Sequence, residues 1–178
     1  MLKISKTGEK PCRVQPGISS LQFQGCNILC RGCRNPELEE IKVAHILTVQ
    51  VTLDIALKFK KENKIEGITF FGGEPAMQEG LGHLANALVL NGLGIILFTE
   101  MTYDSLEKSV HNAMDLIVDG RFEMNQIDEA RNLMGSKNQD IIYVTHRYRD
   151  MIDWFLNTRE KRIEINLSDA LFVNGDII

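Results

Sequence analysis

Apolar residues in this chain occur in short runs that alternate with longer amphipathic stretches. Residues 19–24 alternate between polar and apolar side chains, which predicts a strand. Val49–Asn63 places mostly apolar residues on one stripe, and residues 78–91 repeat that spacing, so both segments predict helices. Gly92 follows the second stretch, where a glycine commonly ends a helix.

The remaining apolar runs are too short for helices and are rich in β-branched residues. They predict strands at 68–71, 95–98, 116–118 and 141–144. Between them, Thr102 is expected to cap a helix that runs through Leu106 and Val110. Near the end, residues 151–157 predict a short helix, and residues 162–167 and 171–173 predict an antiparallel pair of strands.

This alternation of strands and helices predicts an α/β fold with a parallel sheet and right-handed crossovers. About five such strands are too few for a closed eight-stranded barrel, so we expect an open, partial (β/α) barrel with parallel strands, followed by a short C-terminal helix and a hairpin-like tail. We predict one domain over residues 1–178, with a core at about 17–145 and an extension at about 146–178.

Composition narrows the class of protein. The chain has 178 residues, 44% hydrophobic and 25% charged, which is ordinary for a globular domain. Its net charge of −4 provides no basic field, so no nucleic-acid partner is expected.

No apolar run is long enough to span a membrane, and the first residues lack a signal sequence, so we expect a cytoplasmic protein. One basic group is interpreted as a solvated surface: Arg147, Arg149, Arg159, Lys161 and Arg162.

Three of the four cysteines, Cys26, Cys30 and Cys33, lie within eight residues with the spacing C-x3-C-x2-C. Thiolates suit zinc, copper(I) or iron–sulfur clusters. A cubane held entirely by protein takes four cysteines, so three would leave one iron open. A structural zinc site is the alternative, although it prefers four ligands and no histidine lies near the loop. Cys12 is either a fourth zinc ligand or an incidental thiol, and we favour the second interpretation.

A second motif lies in residues 67–75, where a β-prone run enters Gly72-Gly73-Glu74-Pro75. Paired glycines let the backbone approach a ligand closely. Glu74 either serves only as a carboxylate at a helix start or has a functional role, which the motif favours. Asp119, before Gly120, either ends a strand or lines a pocket.

Together, these two motifs resemble the radical S-adenosylmethionine (SAM) superfamily. Within it, the segments 26–36, 72–75, 118–122 and 135–139 resemble the short activating proteins of anaerobic ribonucleotide reductase and, more distantly, activases of other glycyl radical enzymes. The sequence departs from that family in two places. Gln15-Pro16-Gly17-Ile18-Ser19 replaces the family's usual Gly-Pro-Gly-x-Arg entry, and Arg34 replaces an aromatic residue that often follows the third cysteine.

The resemblance implies a [4Fe–4S] cluster in which three irons each bind one of Cys26, Cys30 and Cys33, while SAM chelates the fourth iron. It further implies a SAM site formed by Gly32 and Arg34 on the loop, by the backbone groups of Gly72, Gly73 and Glu74, by Thr99 as a ribose or methionine contact, and by Asn138 and Gln139 as adenosine contacts.

The implied reaction begins with one electron from a reduced flavodoxin or ferredoxin. It cleaves SAM to methionine and a 5′-deoxyadenosyl radical, which abstracts a hydrogen atom from a glycine of a large partner enzyme. One alternative keeps this chemistry but acts on a peptide or a small molecule such as a deazapurine precursor. Another, from a different class, is a non-catalytic zinc or iron–sulfur binding protein.

Overall fold

The computed structural model describes residues 1–7, 17–33, 35–40, 45–156, 163–167 and 171–175. Within these ranges, seven strands form one sheet and two more form a separate pair. The strands are β1 (Leu2–Thr7), β2 (Ile18–Phe23), β3 (His45–Leu47), β4 (Gly67–Gly72), β5 (Gly94–Phe98), β6 (Leu116–Asp119), β7 (Asp140–Tyr143), β8 (Ile163–Leu167) and β9 (Leu171–Gly175). The helices are α1 (Val49–Asn63), α2 (Leu81–Leu90), α3 (Lys108–His111) and α4 (Ile152–Leu156).

The large sheet has the order β3-β1-β2-β4-β5-β6-β7. Its four strands β2, β4, β5 and β6 pair in parallel, which confirms the predicted α/β class. The prediction of parallel strands is wrong for β7, which pairs antiparallel with β6. A parallel pair needs a long crossover, usually a helix. The connection 120–139 contains only a short 3-10 turn, Met124–Gln126, so the chain reverses direction. The curvature of a partial barrel stays a prediction.

The opposite edge of the sheet contains two strands that the sequence pattern did not indicate. β1 pairs antiparallel with both β2 and β3. β3 has only three residues, and β1 carries lysines at Lys3 and Lys6. Such short or polar strands form because a neighbouring strand offers backbone hydrogen-bond partners. The sequence of the strand itself does not show that this neighbour is present.

α1 has the predicted bounds. The Thr48 side chain caps its start by accepting a hydrogen bond from the Val51 amide at 3.2 Å, and Lys64 ends it in the left-handed conformation. α2 begins at Leu81 rather than at residue 78, because Pro75–Met77 forms a 3-10 turn and Gly80 has a φ of +93°. Gly92 follows its end with a φ of +76°, as predicted.

The continuous helix predicted from Thr102 is wrong. The segment forms a 3-10 turn at Tyr103–Ser105, then extended backbone at Leu106 and Glu107, then the four-residue α3. The Thr102 side chain makes no capping hydrogen bond, so nothing there starts a longer helix. In the tail, α4 and the antiparallel β8–β9 pair confirm the predicted helix and hairpin. Among the described residues, no helix is long and apolar enough to cross a membrane.

The sheet has two faces, each with a hydrophobic core. On the side packed by α1 and α2, which we call the helix face, Phe23 and Phe70 meet edge to face with ring centroids 5.6 Å apart. The other side, the open face, has a smaller core that includes Ile96, Leu116 and Phe155. α4 contributes Phe155, so the C-terminal helix covers part of the open face.

Strand register arranges the open face in rows. The lowest row pairs Gly67 with Gly94, and the Tyr148 hydroxyl occupies the space that a Cβ on either glycine would need. Tyr148 is 4% exposed, so it closes the lower end of this face. The row above it runs across five strands and consists of Ser20, Thr69, Ile96, Leu116 and Tyr143.

Candidate active site

A cavity of about 320 Å³ lies on the open face at the carboxyl ends of β2, β4 and β5. In parallel α/β sheets, ligands bind at this end of the strands. The two sequence motifs meet here, since the cavity wall includes Cys26, Cys30, Cys33, Gly72, Gly73 and Glu74.

Backbone hydrogen bonds hold the cysteine loop directly after β2. Gly25 N–H donates to the Leu38 carbonyl at 2.8 Å, and Cys26 N–H donates to the Glu39 carbonyl at 3.1 Å. From the end of β6, the Arg121 guanidinium donates to the Ile28 carbonyl at 2.9 Å. The loop is therefore fixed at its base and at its middle, which keeps three partly buried free thiols on one cavity wall.

The environment of Cys30 and Cys33 favours the protonated form of their thiols in the protein alone. Burial raises the pKa of Cys30 to about 11, and the hydrogen bond that its thiol donates to Glu100 Oε2 at 2.9 Å acts in the same direction. Burial likewise raises the pKa of Cys33 to about 11. A metal ligand must be a thiolate, so binding of a cluster would release protons here.

The backbone at the end of β2 leaves no room for a side chain at either of the paired glycines. A Cβ on Gly72, where φ is +127°, would overlap the Phe23 backbone, and a Cβ on Gly73 would overlap the Gly25 carbonyl group. Gly73 N–H donates to the Phe23 carbonyl at 2.9 Å. The sequence suggested that the glycines admit a ligand. The structure adds that they admit the neighbouring strand, which brings the β4 turn against the cysteine loop.

Glu74 has no exposed side-chain surface and accepts three hydrogen bonds. Oε1 accepts from the Ala76 amide at 2.8 Å and from the Thr99 hydroxyl at 2.7 Å, and Oε2 accepts from the Glu100 amide at 2.8 Å. Burial raises the pKa of Glu74, although these hydrogen bonds oppose the shift. The carboxylate caps the following turn, as its position at a helix start suggested, and it also joins the ends of β4 and β5.

The connection between β6 and β7 forms the wall that faces these strand ends. Its Gln139 side chain accepts from the Gly135 and Ser136 amides at 2.9 and 3.1 Å and donates to the Gly120 carbonyl at 2.9 Å. Gln139 therefore shapes the wall through its own amide group. Asn138 is exposed and donates to the Arg121 carbonyl at 2.8 Å.

The structure brings most of the candidate site residues together. The three cysteines, Gly72, Gly73, Glu74, Thr99 and Gln139 line the cavity, whereas its described lining includes neither Gly32 nor Asn138. Gly32 is exposed, and a Cβ there would lie 2.7 Å from the Met124 sulfur. Arg34 and Cys12 lie outside the described residues. Asp119 accepts from the Tyr103 amide at 2.7 Å, which fits its interpretation as a strand end. The proposed contacts with SAM stay predictions.

Other cavity residues had no motif to mark them. Phe71 and Phe98 line it from β4 and β5, and Glu100 lies beside Cys30. The alternation of side chains along a strand was the available signal, since Thr69 and Phe71 share a face of β4. Glu100 follows Thr99 directly, but nothing local shows that its carboxylate turns toward the cysteine loop.

These residues fit a multi-iron cluster. Within the described part of the chain, no three His, Cys, Asp or Glu side chains are placed as ligands of one metal ion. The three thiols nevertheless line the same cavity. A [4Fe–4S] cluster binds each cysteine through a different iron, so its ligands surround a larger group than a single ion. The donor set is also all thiol sulfur, the usual ligand of iron–sulfur clusters.

Comparison with known protein families defines the class. Residues 12–142 match the family described as the 4Fe-4S single cluster domain, and the chain belongs to that family. The resemblance to the radical SAM superfamily is confirmed, and with it the two predicted cofactors, a [4Fe–4S] cluster and SAM.

Three relatives place the chain within this class. It is 26% identical over 143 residues to the anaerobic ribonucleoside-triphosphate reductase-activating protein of Pasteurella multocida, covering 72% of this chain and 88% of the relative. It is 32% identical over 71 residues to the 7-carboxy-7-deazaguanine synthase of Clostridium acetobutylicum, and 36% identical over 66 residues to the pyruvate formate-lyase-activating enzyme of Listeria monocytogenes. These two matches cover 40% and 35% of this chain but only 31% and 27% of the relatives.

Proposed function

We propose that this chain is an activating enzyme that generates a glycyl radical on a partner protein of the anaerobic ribonucleotide reductase type. The observation that carries the proposal is the extent of one likeness. The reductase-activating protein of Pasteurella multocida aligns over 88% of its own length and 72% of this chain. In this chain, the cysteine loop and the Gly-Gly turn meet at the cavity.

In this proposal, Cys26, Cys30 and Cys33 hold the cluster. When bound, the cluster and SAM supply one-electron chemistry that ends in abstraction of a hydrogen atom. The chain itself positions the two groups. The close packing of Gly73 on Gly25 sets the distance between the SAM-binding strand ends and the cysteine loop. Phe71 and Phe98 on the cavity wall exclude water from the reacting atoms.

The partners follow from the same proposal. The glycine to be activated belongs to a large protein, whose segment enters the cavity from the carboxyl ends of the strands. A reduced flavodoxin or ferredoxin supplies the electron. We place the reaction in the cytoplasm, where thiols such as Cys26, Cys30 and Cys33 stay reduced and available to iron.

A second candidate keeps the cofactors and changes the substrate to a small molecule. The match to the 7-carboxy-7-deazaguanine synthase, at 32% identity over 71 residues, favours it. That match covers less than half of this chain, so we rank it below the activating enzyme.

The test is anaerobic reconstitution with iron and sulfide, followed by reduction and addition of SAM and the anaerobic ribonucleotide reductase from the same organism. We expect 5′-deoxyadenosine and a glycyl radical signal in the electron paramagnetic resonance spectrum of the reductase. Cys30→Ala should abolish both, and a reductase in which the radical glycine is replaced by alanine should abolish the signal. Deoxyadenosine without a reductase radical, together with turnover of a deazapurine precursor, would support the second candidate instead.

A further inference from the structure

We propose that Thr69, with Ser20 beside it, is a substrate-contact residue on the floor of the cavity, and that its hydroxyl hydrogen-bonds the backbone amide of an uncharged glycine-containing peptide. The inference rests on the proposed function and names the part of the site that recognises the substrate.

Thr69 lies deep in the site. It pairs in register with Ser20, and both residues line the cavity. Thr69 precedes Gly72 by three residues along β4, which at about 3.3 Å per residue places it roughly 10 Å below the Gly-Gly turn. The cysteine loop packs against that turn, so the groups that hold the cofactors lie at the upper end of the cavity. A molecule that contacts Thr69 must therefore extend below the protein groups that hold the cofactors.

The Thr69 hydroxyl is buried and unpaired within the described part of the chain. Thr69 is 2% exposed, and no described residue forms a hydrogen bond with its Oγ1. Two other buried threonines are satisfied: the Thr52 hydroxyl donates to the Thr48 carbonyl at 3.0 Å, and the Thr99 hydroxyl donates to Glu74. An unpaired buried hydroxyl destabilises a protein, and valine would fill the same volume without that cost. A hydroxyl that faces a cavity gains its partner when the cavity is filled.

The charges on the wall indicate what fills it. The described lining contains the carboxylates of Glu39, Glu74 and Glu100 but no Lys, Arg or His, so it disfavours an anion. Phe71 and Phe98 supply apolar surface. A threonine hydroxyl both donates and accepts, as a peptide amide does. An uncharged peptide segment matches this lining, and the glycine at its centre follows from the proposed function.

The experiment uses the reconstituted protein with SAM and a blocked peptide of alanines around one glycine, measured by anaerobic calorimetry. Thr69→Val should raise the Kd for this peptide about 3- to 10-fold, the loss expected for one hydrogen bond. Thr69→Ser retains the hydroxyl and should stay within about twofold of the wild type. A matching peptide with aspartates beside the alanines should bind more weakly than the neutral one.

A second measurement needs no ligand. Thr69→Val should keep or raise the melting temperature of the protein alone, because it removes an unpaired hydroxyl. The matched control Thr52→Val removes a paired one and should lower it. If both variants lower it equally, the Thr69 hydroxyl is already paired and the inference fails.

The outcomes separate this inference from the proposed function. If the wild type binds the neutral peptide and Thr69→Val binds it equally well, the inference alone is overturned. A loss of SAM affinity in Thr69→Val with unchanged peptide affinity would assign the hydroxyl to SAM and also overturn it. If the wild type binds no glycine peptide and yields no radical on the reductase, the proposed function fails, and the inference fails with it.

Discussion

Gly73 and Gly25 are in direct backbone contact: a Cβ on Gly73 would lie 2.7 Å from the carbonyl carbon of Gly25 and 2.9 Å from its nitrogen. The next residue, Glu74, donates its amide hydrogen to the Gly25 carbonyl at 3.0 Å. These contacts join the turn after β4 to the first residue of the cysteine loop. The geometry between the two sequence motifs is thus set by two residues that have no side chains.

Gly73→Ala should separate the two motifs. The added methyl group meets backbone, which cannot move aside as a flexible side chain can, so the cysteine loop must shift. We expect a loss of about 1–3 kcal/mol in unfolding free energy and a clear fall in iron bound per chain after reconstitution. Gly92→Ala is the control. It lies at the amino end of β5 with a φ of +76°, so it should cost about 1 kcal/mol but leave the iron content unchanged. Full iron loading of Gly73→Ala would contradict this prediction.

Glu74→Gln should destabilise the protein even though the two side chains have the same shape. All three partners of the carboxylate are donors, and the amide nitrogen of glutamine cannot accept from them. We expect a loss of about 1–3 kcal/mol in urea unfolding. Glu79→Gln, whose parent side chain is 96% exposed, should stay within about 0.5 kcal/mol of the wild type. Equal stability of the two variants would show that Glu74 does not hold the strand ends.

Asp128 should stabilise the cavity wall in a pH-dependent way. Burial alone would raise the pKa of Asp128, but hydrogen bonds from the Arg131 amide and side chain and from the Ala130 amide lower it. The folded pKa therefore lies below the unfolded value of about 3.9. The resulting stability is present above that value and is lost as the pH falls through the folded pKa.

Asp128→Asn should accordingly lower the unfolding free energy by about 1–3 kcal/mol at pH 7, and the gap should narrow below about pH 4. Urea unfolding between pH 7 and pH 3 measures it. The exposed Asp104→Asn serves as the control and should track the wild type throughout. If the difference in unfolding free energy between Asp128→Asn and the wild type stays constant down to pH 3, ionisation of the Asp128 carboxyl group is not its cause.

Gly94 and Tyr148 should be coupled in a double-mutant cycle. A Cβ on Gly94 would overlap the Tyr148 hydroxyl, so Gly94→Ala displaces the ring and should cost about 1–3 kcal/mol. Tyr148→Ala should cost about 3–5 kcal/mol through the cavity it leaves. In the double variant the methyl group enters space that the ring has left, so the combined loss should be smaller than the sum. Simple additivity would contradict the contact.

The sequence predicted the helices and strands whose signals lie in their own residues or directly beside them. α1 has the predicted bounds because an apolar stripe lies within it and a capping threonine, Thr48, directly precedes it. Three of the four parallel strands were indicated by their own apolar runs, and β2 was indicated by its alternation of polar and apolar residues. The direction of β7 was not, because nothing in its sequence distinguishes parallel from antiparallel pairing, and the deciding fact is the missing helix in the connection before it.

For the site, the motifs predicted which residues meet but not how they are used. Cys26, Cys30 and Cys33 line the cavity with the Gly-Gly turn, as the spacing suggested. Glu100 and Thr69 were missed, because their significance depends on neighbours that are distant in sequence. Glu100 meets a thiol 70 positions away, and Thr69 stands out only because its hydroxyl lacks the partner that other buried threonines have.

Glu74 links segments that lie far apart in the sequence. The backbone of Glu74 contacts the start of the cysteine loop, and its side chain contacts the end of β5. The Glu74 carboxylate and the Thr99 hydroxyl are hydrogen-bonded to each other, so a substitution at either of these two positions removes a partner of the other. In a lineage of related sequences they should change together or not at all, and that covariation would be visible before any activity is measured.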